Sequence, residues 1–238
     1  MPEPLLLSRA RMRQDVPAVA LRQLLLPGSH GQRAGAGHRL IWTLFADSPD
    51  RTRDFLWREG EAGTFYTLSR RPPVDQHGLF VLDPPKEFAP RLAAGDRLAF
   101  SLRANATVAK ASVPGKRGKP SDVVMAAIKE VPPGARASAR ADAVRDAGYC
   151  WLDAQGRRAG FAIVGRTDGG AAEPAPLLGT SYRTMRVDHA GPRATLGVLD
   201  FDGVLEVTNP ELLLDGISRG FGRAKAFGCG LMLVRRVG

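Results

Sequence analysis

The first half of the chain contains several short apolar or alternating runs and one run with helical spacing. The apolar and alternating runs predict four strands, which cover residues 4–12, 54–58, 64–69 and 96–106. Residues 15–26 place apolar side chains at helical spacing behind Asp15 as N-cap, and so predict a helix. Residues 27–37 are rich in glycine and are predicted to be flexible, with a short helix beginning at His38. Residues 72–90 are rich in proline and show no period.

The second half of the chain predicts helices and strands in a similar order. Helices are predicted at residues 121–130, 137–147 and 209–218. Pro210 suits the first turn of the last of these helices. Strands are predicted at residues 183–188, 193–207 and 231–234. A turn is predicted at residues 154–156 and a loop at residues 167–176, and Asp202-Gly203 between two apolar runs predicts a hairpin turn.

This order of elements predicts the fold class. The first half reads as strand, helix, two strands, an irregular stretch and a strand, which is the pattern of a ferredoxin-like unit with a weak second helix. The second half repeats the pattern with a more divergent beginning. We therefore predict an α+β protein of two tandem ferredoxin-like (RRM-like) domains. Their predicted ranges are residues 1–108 and 121–238, joined by a basic linker over residues 109–120.

The composition of the chain indicates what kind of partner and which cellular compartment are compatible with it. The chain has 238 residues and 44% hydrophobic side chains, enough for a substantial core. Its 34 Lys and Arg against 24 Asp and Glu give a net charge of +10, which favours a polyanionic partner. The two cysteines, Cys150 and Cys229, form neither a disulfide framework nor a zinc motif. The sequence carries no signal-peptide core and no long apolar stretch, so we expect a cytoplasmic protein with no membrane partner.

One segment holds basic residues without any acidic ones. No Asp or Glu occurs between Asp96 and Asp122. The cations of this segment are Arg97, Arg103, Lys110, Lys116, Arg117 and Lys119. Such a run can be a solvated linker, but on a chain that is already basic it favours contact with nucleic acid.

A second glycine-rich segment lies within residues 216–238. Its Gly220/Gly222 and Gly228/Gly230 pairs flank two cations, Arg223 and Lys225, and the apolar run 231–234 follows. Glycine lets a backbone curl tightly and present N–H groups to an anion, so the segment favours a phosphate-gripping loop. From the residues alone an ordinary turn is equally compatible. It is not a Walker loop, because no Gly-Lys-Ser/Thr closes it.

Three motifs resemble a known family. The run from Gly220 to Leu231, Gly-Phe-Gly-Arg-Ala-Lys-Ala-Phe-Gly-Cys-Gly-Leu, resembles the C-terminal glycine-rich loop of repeat-associated RNA-processing proteins. Within these it is most similar to the CasE family, the pre-crRNA endoribonuclease subunit of Cascade in type I-E CRISPR systems. Residues 38–45, His-Arg-Leu-Ile-Trp-Thr-Leu-Phe, resemble the active-site segment of that family, and residues 102–105, Leu-Arg-Ala-Asn, match one of its strand ends.

The chain departs from the family at two positions. Gly35 stands where some members carry tyrosine, and Ala106 stands where the family has proline. For this reason only His38 is carried over as a catalytic residue. The resemblance implies RNA contacts at the glycines and cations of the motifs, and the charge of the basic segment favours further RNA contacts there. These are Arg39, Arg103, Lys110, Lys116, Arg117, Lys119, Gly220, Gly222, Arg223, Lys225, Gly228 and Gly230.

The resemblance implies a reaction as well. It predicts an endoribonuclease that binds the CRISPR repeat hairpin, cuts pre-crRNA into crRNA, and stays bound beside other Cascade subunits. The RNA supplies its own nucleophile, the 2′-hydroxyl, so cleavage needs in-line geometry and proton transfer but no metal or cofactor. An imidazole with an ordinary pKa of about 6.5 can move that proton near neutral pH. The products would carry a 5′-hydroxyl and a 2′,3′-cyclic phosphate.

Two other functions remain compatible with the sequence. The first is a non-catalytic crRNA-binding scaffold of the same fold, for which His38 would be dispensable. The second is an unrelated basic module, such as a ribosome- or tRNA-associated protein, which would show no preference for a CRISPR repeat. No predicted strand carries the aromatic residues with which RRM domains stack on bases, which favours contacts to the RNA backbone.

Overall fold

The computed structural model of the chain describes residues 4–15, 30–46, 52–61, 63–109, 118–165, 179–187 and 194–237. Its residues group into two compact units. The first contains residues 1–91, 185–196 and 224–231, and the second contains residues 92–184, 197–223 and 232–238. The predicted helix at 15–26 and loop at 167–176 lie outside the described residues, as do Lys110, Lys116 and Arg117.

The first sheet has the strand order of a ferredoxin-like unit. Its strands are β1 (Leu6–Met12), β2 (Phe55–Glu59), β3 (Thr64–Ser69), β4 (Phe80–Leu82) and β5 (Lys86–Glu87). They run antiparallel in the order β2-β3-β1-β4, with β5 also paired to β1. The first strand and the following hairpin of the sequence analysis are therefore confirmed.

Helix α1 (His30–Trp42) packs on this sheet, and it begins earlier in the chain than predicted. Residues 30–37 were predicted to be flexible, but they are the first part of this helix, and His38 lies well inside it. Leu40 and Ile41 belong to the hydrophobic core of the unit, together with Phe55 and Trp57 from β2. Burial of these apolar side chains offsets the low helix propensity of the glycines before them.

The second sheet also has the ferredoxin-like order. It consists of β6 (Arg97–Ala104), β9 (Phe161–Ile163), β10 (Gly179–Val187), β11 (Ala194–Val207) and β12 (Met232–Arg236). The order is β10-β11-β6-β12, with β9 paired to β11. The short strands β7 (Thr107–Ala109) and β8 (Pro120–Asp122) form a separate ribbon.

Because of the strand pairing in this sheet, the second domain begins earlier in the chain than predicted. Strand β6 was predicted to close the first domain, but it pairs with β11 and β12 and is the first strand of the second sheet. The short strand β4 takes the corresponding place in the first sheet. The second sheet therefore begins at Arg97 and not after residue 108. The predicted linker range 109–120 therefore lies within the second unit, which contains residues 92–184, and does not join the two domains.

The helices of the second half are α2 (Val123–Lys129), α3 (Arg140–Ala159) and α4 (Pro210–Arg219). Helix α2 begins at an N-cap formed by Asp122, whose side chain accepts from the backbone N–H of Met125. Helix α4 begins in the same way at Asn209, with proline in its first turn as expected. The predicted helices at 121–130 and 209–218 and the predicted final strand are confirmed.

Two predicted turns are wrong. Residues 154–156 continue helix α3, because Gly156 lets the helix pack against Phe161: a Cβ there would lie 2.4 Å from the Phe161 carbonyl oxygen. The helix ends instead at Gly160, which has the left-handed conformation common after a helix. Asp202-Gly203 lies inside the continuous strand β11, paired with β6. The α+β class with two ferredoxin-like domains is confirmed by both strand orders.

Candidate active site

His38 lies in the last turns of helix α1 and is half-buried. Its ring is 5.9 Å from the Trp42 ring and 6.2 Å from the Phe227 ring, measured between centroids. Its Nδ1 atom is shielded from solvent. Of the two ring nitrogens, Nδ1 is therefore not open to a substrate.

Phe227 belongs to a short 3-10 turn, Lys225–Phe227, in the glycine-rich segment. Trp57 of strand β2 holds this turn in place. Its indole Nε1–H donates a hydrogen bond of 3.1 Å to the carbonyl oxygen of Ala226. Trp57 is only 2% exposed. An unpaired N–H or carbonyl group buried there would cost free energy, so this hydrogen bond stabilises the position of the turn.

Two glycines let the helix and the turn approach the same indole. A Cβ on Gly37 would lie 2.8 Å from Cη2 of Trp57, and one on Gly228 would lie 3.1 Å from the same atom. Gly37 directly precedes His38, and Gly228 directly follows the 3-10 turn. Trp57 therefore sets the spacing between the helix of the histidine and the glycine-rich turn. The partners of Trp57 are distant in the sequence, so no local pattern around residue 57 predicts this role.

The backbone of the glycine-rich segment is unusual. Positive φ angles occur at Gly220, Gly222, Ala224, Gly228 and Gly230. Among the described residues Ala224 is the only non-glycine residue with a positive φ, at 54°, and this conformation costs roughly 1–2 kcal/mol. Such strain is held by the surrounding structure and is frequent at functional sites.

Several backbone N–H groups of the segment bond within the protein. Those of Gly220, Arg223 and Phe227 donate to Gly216, Asn105 and Ala224 respectively. They are therefore not directed at an external anion. The prediction that these N–H groups grip a phosphate is therefore not met at Gly220, Arg223 and Phe227, which leaves the side chains of Arg223 and Lys225 as the candidates for that contact.

Asn105 anchors the first part of the segment inside the second unit. It is 5% exposed, its Nδ2 donates to the Gly197 carbonyl at 2.7 Å, and its own carbonyl accepts from the Arg223 N–H at 3.1 Å. Gly222 is required there, since a Cβ would lie 2.8 Å from the Asn105 carbonyl oxygen. The Leu-Arg-Ala-Asn motif and the glycine motif thus meet, which their separation in sequence did not show.

The predicted RNA-binding cations differ in exposure. Arg39, Lys119 and Arg223 are exposed, and Lys225 is half-buried. The Nε of Arg103 donates to Asp200 at 2.7 Å, so this guanidinium is held on the sheet. Gly228 and Gly230 are buried, and Gly220 and Gly222 are half-buried.

Within the described ranges, no cluster of three or more His, Cys, Asp or Glu side chains is arranged to hold a metal ion. No helix in the part of the chain that the structure describes is long and apolar enough to span a membrane.

The fold places the chain among α+β proteins built from two ferredoxin-like domains. Within that class it belongs to the family of CRISPR-associated proteins, whose model matches residues 5–236. Together with the relatives described next, this match confirms the resemblance to the CasE family.

Two curated relatives and one solved structure illustrate the similarity. CRISPR-associated endoribonuclease Cse3 of Thermus thermophilus is 32% identical over 165 residues, which are 68% of this chain and 66% of that protein. CRISPR system Cascade subunit CasE of Escherichia coli K12 is 26% identical over 200 residues, covering 82% of this chain and 88% of the relative. The structure of Thermus thermophilus Cse3 bound to an RNA representing a pre-cleavage complex superposes with a TM-score of 0.64. It is 24% identical and covers 98% of this chain and 99% of that one.

Proposed function

We propose that this protein is a CRISPR repeat endoribonuclease that binds the hairpin of the repeat and cuts pre-crRNA into mature crRNA. It then stays on the crRNA as a subunit of a Cascade complex in the cytoplasm. The observation that carries the proposal is the half-buried histidine on helix α1, beside a glycine-rich turn that bears Lys225. The names of the relatives, an endoribonuclease and a Cascade subunit, support it.

His38 is the proton-transfer group of the proposed reaction. The 2′-oxygen of the RNA attacks the neighbouring phosphorus while the bond from phosphorus to the 5′-oxygen breaks. Neutral imidazole accepts the proton of the 2′-hydroxyl, whereas protonated imidazole donates one to the departing 5′-oxygen. His38 serves one of these two oxygens. The RNA then ends in a 2′,3′-cyclic phosphate, and the other fragment begins with a 5′-hydroxyl.

Lys225 supplies the positive charge of the site. It lies on the same 3-10 turn as Phe227, whose ring contacts His38. A cation held beside the reacting phosphate stabilises the charge that develops on its oxygens in the transition state. Trp57 fixes this turn, so the cation and the imidazole are positioned before RNA arrives.

Binding of the hairpin is assigned to phosphate contacts. The major groove of A-form RNA is deep and narrow, so basic side chains follow its backbone and shape. Arg39 and Arg223 are exposed for this role, and the basic segment with Lys110, Lys116, Arg117 and Lys119 would extend the surface. The glycines of the glycine-rich segment shape the backbone that carries Arg223 and Lys225.

Single-turnover cleavage of an end-labelled repeat hairpin tests the proposal. We expect one cut at the base of the hairpin, at an unchanged rate in EDTA, with a 2′,3′-cyclic phosphate on the upstream fragment. A hairpin of scrambled sequence and equal length is the control substrate. Tight binding of the repeat without any cut would support the scaffold function instead, and equal affinity for both hairpins would support the unrelated basic module.

Substitution of Arg223 or Lys225 by alanine is expected to flatten the salt dependence of hairpin binding. Each lost phosphate contact lowers the slope of log K against log salt by about 0.7–0.9. Arg219→Ala is the matched control, because Arg219 is exposed, lies at the end of helix α4 and already pairs with Asp215 at 2.7 Å. Wild-type slopes for both Arg223→Ala and Lys225→Ala would show that these two side chains do not touch RNA.

Gly35→Tyr is expected to speed cleavage by about tenfold or more, since a positioned acid or base typically contributes ~10²–10⁴. Gly35 lies one helical turn before His38, and a Cβ there would meet no atom within 4 Å. The new phenol would therefore lie on the face of His38, where some members of the family carry tyrosine. Gly35→Phe, which adds the ring without the hydroxyl, should leave the rate unchanged. Equal rates for the two variants would contradict the acid–base argument.

A further inference from the structure

The second sheet has an open face that carries small and charged side chains. Side chains alternate along a strand, so those of β6 divide between two faces. Leu98, Phe100 and Leu102 are buried, whereas Arg97, Ala99, Ser101 and Arg103 point to the other face and are half-buried or exposed. Strands β11 and β12 flank β6 and extend this face on both sides.

A cavity of about 350 Å³ opens on this face. Its wall residues include Ala99, Ser101, Asp202, Gly203, Leu233 and Arg235. Small side chains at its base leave the space open, and the charged Asp202 and Arg235 are exposed. The volume lies within the range of about 300–1,000 Å³ that is typical of small-ligand sites.

Two arginines share one carboxylate beside this cavity. Asp200 lies opposite Arg103 in the register of β11 and β6, and it accepts from Nε of Arg103 at 2.7 Å. Its other oxygen accepts from Nη1 of Arg183 on β10. The Asp200 side chain is 15% exposed. One carboxylate against two guanidiniums leaves a net positive charge, and each guanidinium carries five N–H donors in a fixed plane.

The cavity and the arginines are neighbours on one face. Arg103 follows Ser101 by two positions on β6, and Asp200 precedes Asp202 by two positions on β11. Two positions along a strand span roughly 6.6 Å and return to the same face. A fixed cationic pair therefore lies about one strand repeat from a pocket with an apolar base and a carboxylate.

We propose that this face binds one unpaired nucleotide of the RNA, with the base in the cavity and its phosphate on Arg103 and Arg183. The assignment rests on the proposed function only in that the partner is RNA. Asp202 can accept from the exocyclic amino group of adenine, cytosine or guanine. Asp200 is a positioning residue: it holds both guanidiniums in place, so less conformational entropy is lost when a phosphate binds.

The test compares two RNAs on the full-length protein. One is the repeat hairpin, and the other is the same hairpin with a short unpaired oligoadenylate flank, tested at the 5′ and at the 3′ side. Both carry a 2′-deoxy nucleotide at the scissile position to prevent cleavage. For the wild type we expect the flank at one side to lower Kd by roughly tenfold, within the range measured for single-base contacts.

Two variants should abolish the gain in affinity that the flank provides, while their affinity for the hairpin without a flank stays the same. Arg183→Ala removes one phosphate contact, and Ala99→Leu fills the cavity without changing the charge. Leu233→Phe fills the cavity from β12 and replaces Ala99→Leu if thermal unfolding shows that variant to be misfolded. Arg97→Ala is the matched control: it lies on the same face of β6, paired with Glu206 at 3.7 Å, outside the cavity. It should keep the gain.

The outcomes separate this site from the nuclease. A wild type without any gain from either flank, or variants that keep the gain, would show that the two arginines and Asp200 only join the strands. A gain from the flank in a protein that cuts no repeat would leave the nucleotide site in place and overturn the proposed cleavage. A protein that cuts the repeat but gains no affinity from either flank would support the proposed cleavage and overturn the nucleotide site.

Discussion

His38→Ala is expected to slow cleavage of the repeat hairpin by roughly 10²–10⁴, the usual contribution of a positioned acid or base. Hairpin affinity should change little, because one half-buried imidazole adds little to a surface dominated by phosphate contacts. Single-turnover rates and equilibrium Kd values, measured on the same preparation, separate these two effects.

The matched control for this substitution is His77→Ala. His77 is exposed in the irregular stretch between β3 and β4, where its backbone N–H donates to the Asp75 carboxylate at 3.2 Å. It should cleave at the wild-type rate. Wild-type cleavage by His38→Ala would remove the histidine from the reaction, and the scaffold function would then be favoured. Loss of binding together with cleavage would show that His38 acts in recognition.

Trp57→Phe should have the second large effect. It keeps most of the ring but removes the indole N–H that holds the Ala226 carbonyl. An unpaired buried acceptor costs about 1–3 kcal/mol, so the turn that carries Lys225 should loosen and cleavage should fall by roughly tenfold or more. Kd for the hairpin should rise less than the rate falls, because most phosphate contacts lie elsewhere.

Trp151→Phe provides the comparison. Trp151 is 8% exposed and stacks on Phe201 in the second unit, so the same change of side chain is made away from His38. Both variants should lose some thermal stability, but only Trp57→Phe should lose rate at constant folded fraction. Equal losses of rate would mean that Trp57 acts through overall stability and not by holding the turn.

The sequence by itself determined the elements that local rules specify. Strand β1, the β2–β3 hairpin and helix α4 follow from apolar periodicity and from the cap at Asn209. The motifs around His38 and within residues 220–231 identified the family, because their residues are close together in the chain. The order of elements was also enough to predict two ferredoxin-like units.

Only the tertiary structure decided the features that depend on distant partners. The sheet to which β6 belongs is set by hydrogen bonds to β11 and β12, which its own alternating pattern cannot indicate. Glycine at residue 156 and at residue 203 reads locally as a turn, but packing against Phe161 and pairing with β6 keep helix α3 and strand β11 continuous. Trp57 and Ala226 are 169 positions apart, yet their hydrogen bond fixes the turn beside His38. Contacts of this kind stabilise the native state only once the whole unit has assembled, and for that reason no local pattern records them.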